Sequence, residues 1–188
     1  MRLAETRVAG CFEIGLPVHP DRRGLFVKSF QASMFARCGL DTLFVESFYT
    51  ISTENVLRGM HLQLPKGGHA KLVYCVAGAV MDVALDLRRG SPAYGLHAVV
   101  ELDADRHNAV YLPRGVAHGF YVVRAPAILV YHVGSEHDPS LDAGIAWDSF
   151  GASWPTRSPI LSARDAALPR LAEFDSPFSY AAAGRESE

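Results

Sequence analysis

The chain has 188 residues, of which 49% are hydrophobic and 20% are charged, and its formal net charge is -2. This balance suits a folded protein with a substantial core and argues against a disordered chain. The charge offers no basic field for nucleic acid or for an anionic membrane surface, so we expect neither as a partner.

The chain shows no sign of export or of insertion into a membrane. No apolar run approaches the roughly 20 residues that span a bilayer, and the start, MRLAETRVAGCFEIG, lacks the apolar centre of a signal peptide. The three cysteines, Cys11, Cys38 and Cys75, form no C-x-x-C pair. Reduced thiols explain an odd number better than a disulfide framework does, so we expect a cytoplasmic protein.

Short apolar segments separated by turn residues predict a series of β-strands. These segments are 44–51, 71–77, 80–87, 96–102, 109–112, 119–123 and 128–133. Gly78 predicts a tight hairpin between two of them. In VMDVALDLR the residues alternate, so Asp82 and Asp86 share one face, which either faces solvent or lines a polar cavity. We assign both carboxylates a structural role.

Helical patterns are few. Residues 31–38 predict a short helix ended by Gly39, and Ser162 is a predicted N-cap for a helix over 163–172. Many closely spaced strands with little helix favour an all-β sandwich or barrel. We expect a single domain over residues 1–180, followed by a frayed tail over 181–188.

Four stretches place Arg, His, Lys and Tyr inside apolar strands. They are DRRGLFVKSF (21–30), VLRGMHLQLPKGGHAKLV (56–73), YLPRGVAHGF (111–120) and ILVYH (128–132). Burying such groups is costly unless they have partners. Their clustering therefore predicts a polar cavity inside the fold.

The order of several short motifs resembles the dTDP-4-dehydrorhamnose 3,5-epimerase family over about residues 5–177. The motifs are D-x-R-G-x-F (21–26), L-R-G-M-H (57–61), A-K-L-V (70–73), D-V-A-L-D-L-R (82–88), S-P-A-Y-G (91–95), P-R-G-V-A-H-G-F (113–120), Tyr131 and L-S-A-R-D (161–165). The resemblance implies a double-stranded β-helix, or cupin jelly roll, that forms homodimers and acts on a nucleotide-diphosphate sugar. It implies no cofactor and no metal.

The resemblance also assigns roles in an epimerisation beside a ketone, at C3, C5 or both carbons of a 4-dehydro-6-deoxyhexose. His61 matches the base that removes a proton, and Asp165 matches the carboxylate that orients it. Tyr131 matches the acid that returns a proton on the opposite face. Lys71 matches the cation that stabilises the enolate oxygen.

Further positions match residues that bind the substrate. Arg58 and His118 match contacts to the sugar and diphosphate. Arg23 and Phe26 match residues that reach the nucleotide, in this family often across the dimer interface.

Each catalytic candidate also has an ordinary structural explanation. A histidine in a strand is commonly a core residue, a lysine is commonly solvated, and a buried tyrosine commonly bonds only its neighbours. Asp165 falls where an acid suits the first turn of a helix. Only the combination of these residues favours catalysis.

Two other kinds of cupin remain as alternatives. A metal-dependent enzyme would need a carboxylate ligand where Lys71 stands, and a cation at this position repels a divalent metal. A non-catalytic sugar-binding cupin would keep Arg23, Arg58 and His118 but has no need of His61 with the other catalytic candidates.

Several positions depart from the usual family pattern near the nucleotide. Lys28 replaces a Glu, Glu46 and Phe48 replace a Gln and an Asn, and His137 replaces a Tyr. The exchange of Glu for Lys turns an acceptor into a donor. We therefore include Lys28, Glu46 and His137 among the substrate-binding candidates and keep a CDP-linked substrate, or inversion of a single carbon, as alternatives.

Overall fold

Antiparallel strands provide most of the regular structure in the computed structural model, which describes residues 1–180. The strands are β1 (Arg2–Glu5), β2 (Phe12–Gly15), β3 (Val18–Asp21), β4 (Gly24–Val27), β5 (Glu46–Ser52), β6 (Leu57–Gln63), β7 (Lys71–Asp86), β8 (His97–Asp103), β9 (Asn108–Leu112), β10 (Val116–Val133) and β11 (Asp142–Gly144). Two short helices are α1 (Ala32–Ala36) and α2 (Ala163–Ala166), and 3₁₀ turns cover Pro139–Leu141 and Leu171–Glu173. Neither helix in the described part of the chain has the length and apolarity to cross a membrane. The tail predicted for 181–188 lies outside the described residues.

Nine of the strands form one continuous sheet that rolls up on itself. Its order is β1-β2-β9-β7-β10-β6-β11, with β5 paired to β10 and β8 paired to β7, while β3 and β4 form a separate hairpin. The first half of β7 pairs with β9 and its second half with β8. In β10, the first half pairs with β6 and the second half with β5. The two halves therefore belong to two facing layers, and the predicted all-β jelly roll is confirmed.

Apolar side chains fill the interior of the roll and also both of its outer faces. The interior cluster includes Val73, Val80, Phe120 and Leu129 from both halves of the two long strands. The segment after β11 covers one outer face, and α1 covers the other. Because both faces of β7 are buried, alternation along this strand separates two cores and does not mark a solvent side.

The burial of β7 decides between the two alternatives left open for the face of Asp82 and Asp86. Asp82 is 1% exposed and Asp86 is 0% exposed, so a solvated face is excluded. Asp86 accepts hydrogen bonds from the Arg88 guanidinium, with one distance of 2.7 Å, and from the Ser91 hydroxyl at 2.7 Å. Asp82 lies on the interior face with Val80 and contacts a histidine, as described below.

The predicted hairpin at Gly78 is wrong. Segments 71–77 and 80–87 are one strand, β7, and segments 119–123 and 128–133 are likewise parts of β10. Gly78 has a φ of +74°, and a Cβ there would lie 2.3 Å from the Arg124 carbonyl oxygen and 2.4 Å from that of Pro126. The glycine therefore permits a bulge where β7 and β10 bend together, because no side chain would fit between the backbones.

The helices are shorter than predicted. α1 spans five residues within the expected 31–38 and is followed by Gly39, which has a φ of +69°. Ser162 caps α2 as expected, since its side chain accepts a hydrogen bond from the Asp165 N–H. However, α2 ends at Ala166 rather than residue 172, because Pro169 has no N–H and restricts the residue before it.

The bounds of several strands were not predicted, because their sequences lack a clear apolar alternation. These strands are β1 to β4, β6 and β11. Strand β6 matters most, since it contains L-R-G-M-H and mixes charged, glycine and apolar residues. Its pairing with β10 and β11, rather than its own pattern, determines its conformation.

We predict that Gly78→Ala destabilises the protein more than Gly90→Ala. Both glycines have a positive φ, but a Cβ at Gly90 meets nothing within 4 Å. Gly90→Ala should cost about 1–2 kcal/mol for the left-handed backbone alone, and Gly78→Ala should add a steric penalty. Urea denaturation of both variants measures the difference, and equal midpoints would contradict the close approach at Gly78.

Candidate active site

A cavity of about 390 Å³ opens at one end of the roll between β5, β6, β7 and β10. The predicted site residues that line it are Glu46, Arg58, His61, Lys71, His118, Tyr131 and His137. Lys71, His118 and Tyr131 each occupy the interior face of a strand, in line with apolar core residues such as Val73, Phe120 and Leu129. The cavity is therefore the end of the core at which polar side chains replace apolar ones.

His61 forms a close pair with Asp165. Its Nε2 donates to Asp165 Oδ1 at 2.7 Å, and Asp165 Oδ2 accepts the Gly59 N–H at 3.1 Å. Burial opposes ionisation of Asp165, but these hydrogen bonds and the Ser162 contact outweigh it and hold the pKa of the Asp165 carboxyl below its usual value. Because a carboxylate can only accept, the neutral His61 ring has its lone pair on Nδ1.

Two glycines bring β6 and β10 unusually close beside this pair. Gly59 has a φ of +130°, and a Cβ there would lie 2.4 Å from the Gly119 Cα. The register places His61 directly opposite His118, and a bulge follows His118. The glycine in each of the two motifs therefore sets the spacing at which both histidines reach one cavity.

Lys71 is the partly buried cation of the cavity. Its Nζ donates to the His61 backbone carbonyl at 3.3 Å. Burial lowers the pKa of Lys71 to about 8, while the negative charges of Asp142 and Asp82 oppose that shift. The ammonium is thus weakly solvated and close to the backbone of His61.

Tyr131 is 7% exposed, and burial raises the pKa of its phenol well above the usual value. The ring stacks on Phe48 with centroids 4.7 Å apart and planes at 12°, and it meets the edge of His118 at 5.9 Å. The Thr50 hydroxyl is near enough to lower the pKa of the phenol, although its buried oxygen makes no hydrogen bond within residues 1–180. The phenol is therefore held rigidly in its protonated form.

The mouth of the cavity contains a network of charges around Asp142. His137 Nε2 lies 3.1 Å from both Asp142 oxygens, Gln63 donates to Oδ1 at 2.6 Å, and Arg164 lies 2.9 Å from Oδ2. Glu46 accepts the His137 backbone N–H at 2.7 Å. Burial opposes ionisation of Asp142, but His137, Gln63 and Arg164 hold its pKa below the usual value.

Three predicted substrate-binding residues lie away from this cavity. Arg23 pairs with Asp21 at 2.6 Å in the turn of the β3–β4 hairpin, and its side chain is 84% exposed. Phe26 is exposed on β4, and the Lys28 ammonium lies 3.4 Å from Gln31. A single chain therefore does not bring Arg23, Phe26 or Lys28 to the catalytic candidates.

Several residues that line the cavity were not predicted as site residues from the sequence. They are Thr50, Leu62, Gln63, His69, Phe120, Val133, Ser135, Asp142 and Arg164. Gln63 carried a usable signal, because it lies two residues after His61 on the same strand face. His69 and Ser135 carried none, since loops bring them together. Burial and the nearby charge of Lys71 lower the pKa of His69 to about 4, so this imidazole is neutral at neutral pH.

Metal-ligating side chains do not converge at the cavity. In residues 1–180, no three His, Cys, Asp or Glu side chains form a group that could hold a metal ion.

Comparison with known proteins places this geometry in a family. The family model described as dTDP-4-dehydrorhamnose 3,5-epimerase matches residues 5–173. A protein of that name from Shigella flexneri is 36% identical over 168 residues, covering 88% of this chain and 93% of the relative. A dTDP-4-dehydrorhamnose 3-epimerase from Streptomyces niveus is also 36% identical, over 92% of this chain and 85% of the relative.

A solved structure agrees over nearly the whole chain. The dTDP-6-deoxy-D-glucose-3,5-epimerase of Legionella pneumophila, in complex with dTDP-4-keto-L-rhamnose, superimposes with a TM-score of 0.91. It is 33% identical, and the match covers 96% of this chain and 99% of that structure. The chain belongs to the dTDP-4-dehydrorhamnose 3,5-epimerase family.

Proposed function

We propose that this protein is a metal-independent epimerase that inverts C3, C5 or both carbons of a dTDP-linked 4-dehydro-6-deoxyhexose through an enolate. One observation carries the proposal: a single cavity contains an imidazole paired to a carboxylate, a buried phenol and an ammonium. These are the three groups that proton removal, proton return and charge stabilisation beside a ketone require.

His61 acts as the base. Its Nε2–H is bound to Asp165, so Nδ1 is the nitrogen that receives the proton from the carbon beside the ketone. The ring then becomes positive, and the adjacent Asp165 carboxylate stabilises that charge without itself taking the proton.

Tyr131 acts as the acid. Because burial raises the pKa of its phenol, the proton stays on oxygen until a carbanion forms nearby. The stack with Phe48 restricts the ring to one plane. Transfer of the phenolic proton to the face opposite His61 inverts the centre.

Lys71 stabilises the oxygen of the enolate. An ammonium in a water-poor cavity interacts with developing negative charge far more strongly than one in bulk water does. The charges of Asp82 and Asp142 favour the protonated form that this role needs.

Substrate binding extends from the cavity to its mouth. Arg58 is held by the Ser52 hydroxyl at 3.0 Å and, with His118, contacts the sugar and diphosphate. Arg23, Phe26 and Lys28 do not line the cavity of their own chain. We propose that they reach the nucleotide of a partner subunit in a homodimer.

A CDP-linked substrate is the second candidate. The observation that favours it is the contact at the mouth in which the Glu46 carboxylate accepts the His137 backbone N–H, at positions where the family usually has Gln and Tyr. We also propose a cytoplasmic location, because the exposed free thiol of Cys38 suits a reducing compartment.

His61→Asn should abolish exchange of substrate hydrogen with deuterated water at every carbon, because no enolate forms without the base. Tyr131→Phe should retain exchange at one carbon or more while losing inversion, because proton removal does not require the acid. NMR of a dTDP-linked 4-keto-6-deoxyhexose in deuterated water measures both.

His107→Asn provides the matched histidine control. His107 lies outside the cavity at a φ of +50°, a backbone conformation that Asn tolerates well. The His107→Asn variant should exchange substrate hydrogen and invert the sugar carbon at the native rate. Ordinary turnover in His61→Asn would show that His61 is not the base. A native protein that exchanges no substrate hydrogen would favour a non-catalytic binding module. Activity that is lost on chelation and restored by zinc would favour a metal-dependent enzyme.

The rate should fall as the pH rises through about 8, because the Lys71 ammonium is present below its pKa and is lost above it. Lys71→Ala should lose about 3 kcal/mol of transition-state stabilisation. In Lys71→Arg, which stays charged, any remaining activity should show no such basic limb. A pH–rate profile of kcat/KM tests this, and a flat native profile well above pH 8 would contradict the role of Lys71.

Turnover of dTDP- and CDP-linked 4-keto-6-deoxyhexoses in parallel should favour the dTDP sugar. A preference for the CDP sugar would replace the first candidate with the second. If the native protein prefers the CDP sugar, a switch to the dTDP sugar in the double variant Glu46→Gln, His137→Tyr would assign nucleotide selection to the mouth of the cavity.

A further inference from the structure

A second histidine–carboxylate pair lies behind the cavity wall. His118 is 5% exposed and Asp82 is 1% exposed, and His118 Nε2 lies 2.6 Å from Asp82 Oδ2. They reach each other across the paired strands, since Asp82 is opposite Phe120 and His118 is opposite Ala84 on the interior face. This pair is separate from His61 and Asp165, and its histidine lines the same cavity.

Asp82 differs from a purely structural buried acid. Asp86 on the same strand is satisfied by Arg88 and Ser91, none of which lines the cavity. The Asp82 carboxylate has His118 as its hydrogen-bond partner, and its Oδ1 makes no hydrogen bond within the described part of the chain. A buried carboxylate without a full set of partners is costly to stability. Its one bond goes to a side chain that lines the cavity.

The pair determines which nitrogen His118 offers to a ligand. A carboxylate can only accept, so the neutral ring carries its proton on Nε2 and keeps its lone pair on Nδ1. The edge contact with Tyr131 further limits rotation of the ring. A hydroxyl that reaches Nδ1 from the cavity can therefore donate a hydrogen bond to it.

We propose that Asp82 is a positioning residue that acts through His118, fixing the tautomer in which Nδ1 accepts a hydrogen bond from a hydroxyl of the bound hexose. The inference rests on the proposed epimerase function. It assigns the buried carboxylate a role in recognition of the sugar, in addition to the acid and base that perform the chemistry.

A double-mutant cycle tests the inference. Asp82→Asn preserves volume, but an amide can donate as well as accept and no longer holds the proton on Nε2. Asp82→Asn and His118→Asn should each raise KM about tenfold, the value of one neutral hydrogen bond, with a smaller effect on kcat. The double variant should be no worse than His118→Asn alone, because the two residues act as one unit.

The pH of the assay and a control variant separate this role of Asp82 from its effects on the charge of Lys71 and on stability. Lys71 is affected by Asp82 and Asp142, which favour its charge, and by burial and Arg164, which oppose it. Measurement well below the Lys71 pKa of about 8 keeps this ammonium protonated in every variant. Asp86→Asn, equally buried on the same strand, is the control for lost stability and should leave the KM of the folded fraction unchanged.

A native KM in Asp82→Asn, or losses that multiply in the double variant, would overturn the inference while leaving the epimerase function standing. A native protein that neither exchanges nor inverts would instead remove the function itself. If Asp82→Asn does not fold, nitrogen NMR of the native His118 ring decides: the Nε2–H tautomer supports the inference, and the Nδ1–H tautomer overturns it.

Discussion

The antiparallel pairing of β7 with β10 runs from Val133 opposite Lys71 to Val116 opposite Asp86, and the candidate site depends on it. The register selects which residues of both strands face the interior of the roll. It places Lys71 and Tyr131 near one end of a core that is otherwise apolar. A slip of one residue would exchange the interior and outer faces and remove both groups from the cavity.

Electrostatics in the cavity combines two carboxylate–imidazole pairs with one ammonium. His61 is bound to Asp165, and His118 is bound to Asp82, so each ring presents a defined nitrogen. Such buried charges seldom add to stability, because removing them from water costs about as much as their attraction returns. Their retention inside the roll is better explained by chemistry on a sugar, in which proton positions must be fixed before the substrate arrives.

The mouth of the cavity shows how this chain differs from the usual pattern of its family. Glu46, His137 and Asp142 form a connected set of hydrogen bonds and charges there, with Arg164 at its edge. These mouth residues line the same cavity as the catalytic candidates His61, Lys71 and Tyr131.

The sequence alone determined the strand-rich class and the cap at Ser162, because period-two patterns and capping are local properties. The main cavity residues came from the resemblance of the ordered motifs to a known family. Tertiary structure decided that Gly78 is a bulge and not a turn, since only the facing strand supplies the backbone that excludes a side chain. It also decided the environment of Asp82: alternation shows which face a residue shares, but only packing shows that both faces of β7 are buried and that the partner of Asp82 is His118.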